Sequence, residues 1–146
     1  MTLKQLSIFL ENKPGALSTP CRLLAEAGIN LQTFALADTQ QFGILRVVVH
    51  EWEKAKQLLD QAGFVVKITE VVALEVPDSP GGLAHLLEVI EQAKINVEYM
   101  YAFTDKKEGR GLLAFRFNDP EAAVKALKAH QVNVVTTLEV FKRLGN

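Results

Sequence analysis

The sequence predicts an α+β protein built from two βαββαβ units. Three observations predict it: a doubled Pro-Gly turn, a chain-long repeat around that turn, and apolar periodicity that alternates between strand-like and helix-like within each copy. The turn is Asn12-Lys13-Pro14-Gly15-Ala16-Leu17, and its second copy is Asp78-Ser79-Pro80-Gly81-Gly82-Leu83. Pro14 and Pro80 lie 66 residues apart, and the same offset relates Gly15 to Gly81, Leu17 to Leu83, Ala27 to Ala93, Ile29 to Ile95 and Asn30 to Asn96. The offset becomes 68 at Gly43/Gly111, Leu45/Leu113, Glu53/Glu121, Ala55/Ala123 and Leu59/Leu127, so one hairpin of the second copy carries a two-residue insertion.

The 146 residues divide on this basis into 1–70 and 71–146. Units of about 70 residues bury only a modest share of their surface. They are therefore expected to pack together and to pair with a second chain as a homodimer.

In the first copy, Leu6, Ile8 and Leu10 alternate with Gln5, Ser7 and Phe9, a half-buried strand. The turn ends it, and Pro14 and Gly15 open a helix whose apolar face is Leu17, Leu23, Leu24 and Ala27, with Gly28 at its C-terminal end. Pro20 lies just past the first turn, where its missing N–H predicts a kink or a late helix start. A second strand runs from Ile29 to Ala37, a polar hairpin loop from Asp38 to Phe42, and a third strand from Gly43 to Val49. Glu51 to Ala62 reads as a helix ended by Gly63, and Phe64, Val66 and Ile68 mark a fourth strand.

Val72, Leu74 and Val76 restart the pattern with no linker, which predicts rigidly held units. Leu83, Leu86, Leu87, Ile90 and Ala93 form the next helix face. Ile95, Val97, Tyr99, Tyr101 and Phe103 then alternate on a strand, with Tyr99 and Tyr101 turned inward. Asp105 to Gly109 is a charged hairpin loop, and Leu113, Phe115 and Phe117 point inward from the strand after it. Asp119-Pro120 caps a second helix, and the alternation from Val132 to Val140 reads as the last strand. Two such units give the split-βαβ, ferredoxin-like architecture, each an antiparallel four-stranded sheet with two helices on one face. The other face carries Phe9, Ile44, Val48, Leu112 and Ala114, too apolar for open solvent, and this face or the sheet edges are expected to be covered by another unit.

Fold alone leaves function open. Apolar residues make up 49% and charged residues 23%, with a net charge of −1, so there is no electrostatic footprint for nucleic acid or an acidic membrane. The N-terminus is neither a signal peptide nor a membrane span, and a cytoplasmic protein is expected. The single cysteine, Cys21, excludes an internal disulfide framework. An RNA-recognition motif shares the element order. Its aromatic stacking positions, however, are Leu112 and Ala114 in the second copy and Ile44 and Arg46 in the first. His50, His85 and His130 lack metal-ligand spacing, and no nucleophile–base pair, phosphate loop or paired-carboxylate signature stands out. The expectation is a non-enzyme with no metal, no cofactor and no catalytic residues.

The doubled turn carries the chemistry. A Pro-Gly at a strand-to-helix junction offers backbone N–H groups to a carboxylate. Gly15 and Gly81 allow close approach, and Asn12 or Asp78 adds side-chain hydrogen bonding. Asn30 and Asn96 sit where the second strand of each copy begins, and an amide there can accept from an ammonium and donate to a carboxylate. The plainer reading is that Pro-Gly is only a turn and that both asparagines only cap a helix end.

The pattern of strand, Asn/Asp-x-Pro-Gly-x-Leu, helix, Gly/Lys-Ile-Asn-Leu/Val resembles the ACT domain family, and residues 1–146 look like two such domains in tandem with no catalytic domain attached. The resemblance implies a regulatory protein that binds an amino acid or similar effector and acts on a metabolic enzyme. It also implies that ligand is held by the turn asparagine and the second-strand asparagine, near a seam where paired domains join second strands edge to edge. Carried over, the site comprises Asn12, Lys13, Pro14, Gly15, Ala16, Leu17, Asn30 and Leu31 in the first copy. In the second it comprises Asp78, Ser79, Pro80, Gly81, Gly82, Leu83, Asn96, Val97 and Met100, with Phe34, Tyr99 and Tyr101 as further pocket candidates. Asp78 in place of asparagine suits an ammonium and repels a carboxylate, so the two sites need not be equivalent. The alternative is a ligand-free interaction or regulatory-subunit module.

Overall fold

The computed structural model describes residues 1–104 and 109–145. The chain divides into two compact units: Lys4–Thr69, here the N-terminal unit, and Met1–Leu3 with Glu70–Gly145, the C-terminal unit. The elements follow the expected βαββαβ order until the last.

The N-terminal unit uses β1 (Thr2–Glu11), α1 (Ser18–Glu26), β2 (Thr33–Thr39), β3 (Phe42–Val48), α2 (Trp52–Gln61) and the first part of β4 (Val65–Pro77). Its strands run in the order β2-β3-β1-β4. Antiparallel register sets Leu6 against Val47 and Ile8 against Leu45, so alternate residues of both strands share one face. Leu24 of α1 and Ala55 and Leu59 of α2 close over that face, and all are buried. α1 starts late, at Ser18, and Pro20 falls in its first turn. A first-turn N–H has no intrahelical acceptor, so the late start removes the cost of the proline. β2 begins at Thr33 rather than Ile29. The expected five-residue hairpin loop tightens to Gln40 and Gln41, with Gln40 at φ +59.

The C-terminal unit uses the rest of β4, α3 (Gly82–Gln92), β5 (Val97–Ala102), β6 (Arg110–Phe117), α4 (Pro120–Ala129), β7 (Val134–Val135) and α5 (Thr137–Arg143). Within it β4 pairs with β6 on one side and β7 on the other, and β5 follows β6. Leu86 and Ile90 of α3 and Ala123 and Leu127 of α4 pack on Val72, Leu74, Phe115 and Phe117. The two phenylalanine rings stack at 5.6 Å. Leu83 and Leu87, expected on the α3 core face, are exposed. The expected charged hairpin loop lies, apart from Gly109, outside the described residues.

Two further expectations fail in this unit. The first is the strand from Val132 to Val140, which shrinks to Val134–Val135 and gives way to α5. Thr136 accepts from the Glu139 N–H at 3.2 Å, the cap of a Thr-x-x-Glu start, and Lys142 and Arg143 sit in the last turn, where cations suit the helix dipole. This helix lies on the sheet face opposite α3 and α4. Glu75 alternates with the inward Leu74 and Val76, and Arg143 of α5 donates to its Oε2 at 2.6 Å. Val140 is buried, as are Leu112 and Ala114, the register partners of Glu75 and Ala73. The face expected to need another unit thus carries a helix of its own. On the corresponding face of the N-terminal unit Val48 is buried, Ile44 half-buried and Phe9 exposed.

The second failure is the β5 alternation. A β-bulge between Val97 and Tyr99 shifts the register by one residue. Val97 and Met100 therefore face the core, while Tyr99 and Tyr101 turn to the other face.

Candidate functional site

The first turn leaves β1 and reaches α1 through Gly15 at φ +86, a backbone state that a Cβ disfavours. Asn12 is fastened to the β2–β3 hairpin: its N–H donates to the Gln41 carbonyl at 2.8 Å and its Nδ2 to the Gln40 carbonyl at 3.0 Å. Lys13 pairs with Glu11 at 2.9 Å, but both are exposed, so the pair adds little stability. The Gly15 carbonyl accepts from the Ser18 and Thr19 hydroxyls at 3.2 and 2.9 Å.

Asn12, Lys13, Pro14, Gly15 and Leu17 line a cavity of about 440 Å³, and Ala16 sits half-buried in the same turn. Leu10, Glu11, Leu36, Asp38 and Gly43 complete its walls. The hairpin residues among these were invisible to sequence reasoning, because only the β1–β3–β2 register brings Leu36, Asp38 and Gly43 beside the turn. Asn30 is not in this cavity. It is exposed in the loop after α1, and Leu31 packs on the core. The nine residues of α1 separate the two asparagines by roughly 14 Å, so within one unit they stand at opposite ends of the helix.

In the second turn Gly81, at φ +85, is the N-cap of α3. The Asp78 N–H donates to the Gly109 carbonyl, and the Gly82 N–H to the Ser79 carbonyl, both at 3.0 Å. Asp78, Ser79 and Leu83 line a cavity of about 340 Å³ together with Ala102, Phe103 and Arg110, whereas Pro80 and Gly81 do not. Asn96 is exposed just before β5, and Val97 and Met100 are half-buried against the core. Arg110, which the sequence reading assigned no role, brings a permanent cation beside Asp78.

The two helices that follow these turns share a property. Neither α1 nor α3 has a side-chain cap or an acidic residue in its first turn. By contrast α4 is capped by Asp119 and α5 by Thr136, each with a glutamate in the first turn. The repeated turns thus lead into two helix starts with neither a side-chain cap nor an acidic first turn, an electrostatic setting that attracts a carboxylate.

Other chemistry is sparse. Among the described residues no group of three or more His, Cys, Asp and Glu could hold a metal ion. No helix among them is long and apolar enough to cross a membrane. Burial pushes the thiol of Cys21 on α1 above its ordinary value. At pH 8 alkylation by iodoacetamide is therefore expected to be slower than for free cysteine, accelerating only at higher pH. The proton held in the folded state also makes this group's contribution to stability fall as pH rises past the unfolded thiol value. Alkylation as fast as that of free cysteine would contradict the burial.

Residues 1–143 match the family model of the ACT domain pair. The crystal structure of protein BT0572 from Bacteroides thetaiotaomicron is similar at a TM-score of 0.89 and 35% identity, with 97% of each chain covered. The ligand-free regulatory subunit of aspartate kinase from Thermus thermophilus shares the fold at a TM-score of 0.61 and 17% identity, over 86% of this chain and 90% of that one. The acetolactate synthase small subunit of Buchnera aphidicola subsp. Baizongia pistaciae is 26% identical over 153 residues, covering 97% of this chain and 87% of that protein. With the family model spanning both units and both turns, the chain belongs to the ACT domain pair family.

Proposed function

We propose that the chain is a non-catalytic, cytoplasmic regulatory module that binds an amino acid or similar small metabolite at the turns Asn12–Leu17 and Asp78–Leu83. The observation that carries this reading is that α1 and α3 begin with neither a side-chain cap nor an acidic residue in the first turn, whereas α4 and α5 have both and the uncapped α2 has Glu53. A ligand carboxylate would supply the missing anion, and each Pro-Gly lets it approach the backbone. The cavity of about 440 Å³ at the first turn has room for such a molecule.

Asn12 and Asn30 stand at opposite ends of α1, so a ligand that touches both takes them from two different units. A homodimer joined at β2 would provide that arrangement. β2 is the edge strand of its unit and holds Phe34 60% and Leu36 55% exposed, apolar area that a second copy would bury. A metabolic enzyme would then read the ligand-stabilised arrangement, and the effect is limited to the ligand's preference between arrangements. The similarity to a protein named as an acetolactate synthase small subunit supports an enzyme partner.

Thermal melting against all the proteinogenic amino acids tests the reading. A ligand at 100 times its Kd adds about 2.7 kcal/mol, which raises the melting temperature by several degrees. Asn12→Ala and Asn30→Ala are each expected to reduce the affinity about tenfold, the worth of one hydrogen bond to a charged group. A panel with no shift, or a shift untouched by both substitutions, would overturn the site.

A further inference from the structure

A second kind of cavity, about 220 Å³, opens in the C-terminal unit between β4 at Glu75–Pro77, the near face of α3 and the connection from His130 to Asn133. Arg110, His85 and His130 are in its wall. Glu75 lies at the base with its side chain only 9% exposed, and both of its oxygens are engaged. Oε1 accepts from Asn133 at 3.2 Å and Oε2 from Arg143 at 2.6 Å. The Arg110 Nε stands 3.9 Å from Oε1, beyond hydrogen-bond length. Glu75 and Arg143 offset one another, and Arg110, which also lines the cavity at Asp78, is the other permanent cation at this wall. Val76, Leu86, Val89 and Val132 supply aliphatic surface to the same wall.

The polar set belongs to this copy alone. At the repeat offsets, Glu75, His85, Arg110 and His130 correspond to Phe9, Thr19, Phe42 and Ala62. These polar groups are therefore an elaboration of the C-terminal unit, in a cavity that Gly82 of the doubled turn also lines.

We propose that this cavity binds a small aliphatic monocarboxylate. Its carboxylate lies on the Arg110 guanidinium, and its hydrocarbon tail lies on the aliphatic side chains of the wall. A guanidinium fork matches a planar carboxylate, and one permanent cation matches one negative charge. The aliphatic wall gives an organic acid an advantage over bare phosphate. An amino acid is disfavoured, because its ammonium would be repelled by the Arg110 cation while the charge of Glu75 is already offset by Arg143.

The test is an NMR titration of the full chain with isovalerate, valine and inorganic phosphate. Isovalerate is expected to shift the His85 and His130 imidazole signals and the Leu86 and Val89 methyl signals saturably, with valine and phosphate at least about tenfold weaker. Arg110→Gln, at a side chain 49% exposed and so harmless to folding, is expected to weaken isovalerate by about tenfold or more. The proposal is overturned if isovalerate binds Arg110→Gln undiminished, if valine or phosphate binds as well as isovalerate, if the shifts fall on Asn12–Leu17 instead, or if isovalerate gives no saturable shift.

Discussion

Replacing Arg143 by methionine is expected to destabilise the C-terminal unit by about 3 kcal/mol, the cost of breaking a buried ion pair from one side. The substitution leaves Glu75 with its side chain 9% exposed, an amide hydrogen bond from Asn133 and a guanidinium at 3.9 Å. It also releases the C-terminal end of α5, a helix further held by the burial of Val140 and by the Thr137 hydroxyl donating to the Thr2 carbonyl at 3.0 Å. The melting temperature should fall by roughly 10 °C. Amides of α5 should also exchange with solvent far faster than those of α3. Adding Glu75→Gln to Arg143→Met removes the uncompensated charge and should restore most of the loss. A double variant no more stable than Arg143→Met would show that packing of the arginine stem, not its charge, fastens the helix.

Gly82→Ala is the second large effect. A Cβ there would collide with the Pro77 carbonyl oxygen and stand 3.2 Å from the Pro77 carbonyl carbon. These are backbone atoms, so the strain cannot be relieved by a side-chain rotation, and a loss of about 2–3 kcal/mol is expected. Gly81 makes the comparison. An added Cβ there meets nothing within 4 Å, and the penalty is the positive φ alone, about 1–2 kcal/mol. Urea denaturation should therefore rank Gly82→Ala as the more damaging, and the reverse order would refute the account.

The repeat supplies a reason for the difference. The position equivalent to Gly82 in the first copy is Ala16, and there the helix begins two residues later, at Ser18. Gly82 lets α3 start close against β4, and an alanine is expected to push that start downstream, as in α1. Faster exchange of the first α3 amides in Gly82→Ala would report the shift.

The element order, the repeat, the paired turns and the two helix-side cores were legible in the sequence because each rests on local periodicity and turn chemistry. Leu6, Ile8 and Leu24 are buried where their spacing put them, and Pro20 announced the late start of α1. One miss was also local: the Thr136-x-x-Glu139 start of α5 was written in the chain, but alternating valines hid it. The remaining differences came from tertiary structure. The bulge that turns Tyr99 and Tyr101 away from the core is a property of the β5–β6 pairing, and a one-residue change in register reverses every side chain beyond it. The cavity walls at Leu36, Asp38, Arg110 and His130 come from segments far apart in sequence, brought together by strand register. The sequence by itself determined which segments are strands, helices and turns, since those preferences act over a few residues. The tertiary structure decided which side chains share a cavity and which face α5 covers, since those outcomes depend on contacts that no local pattern encodes.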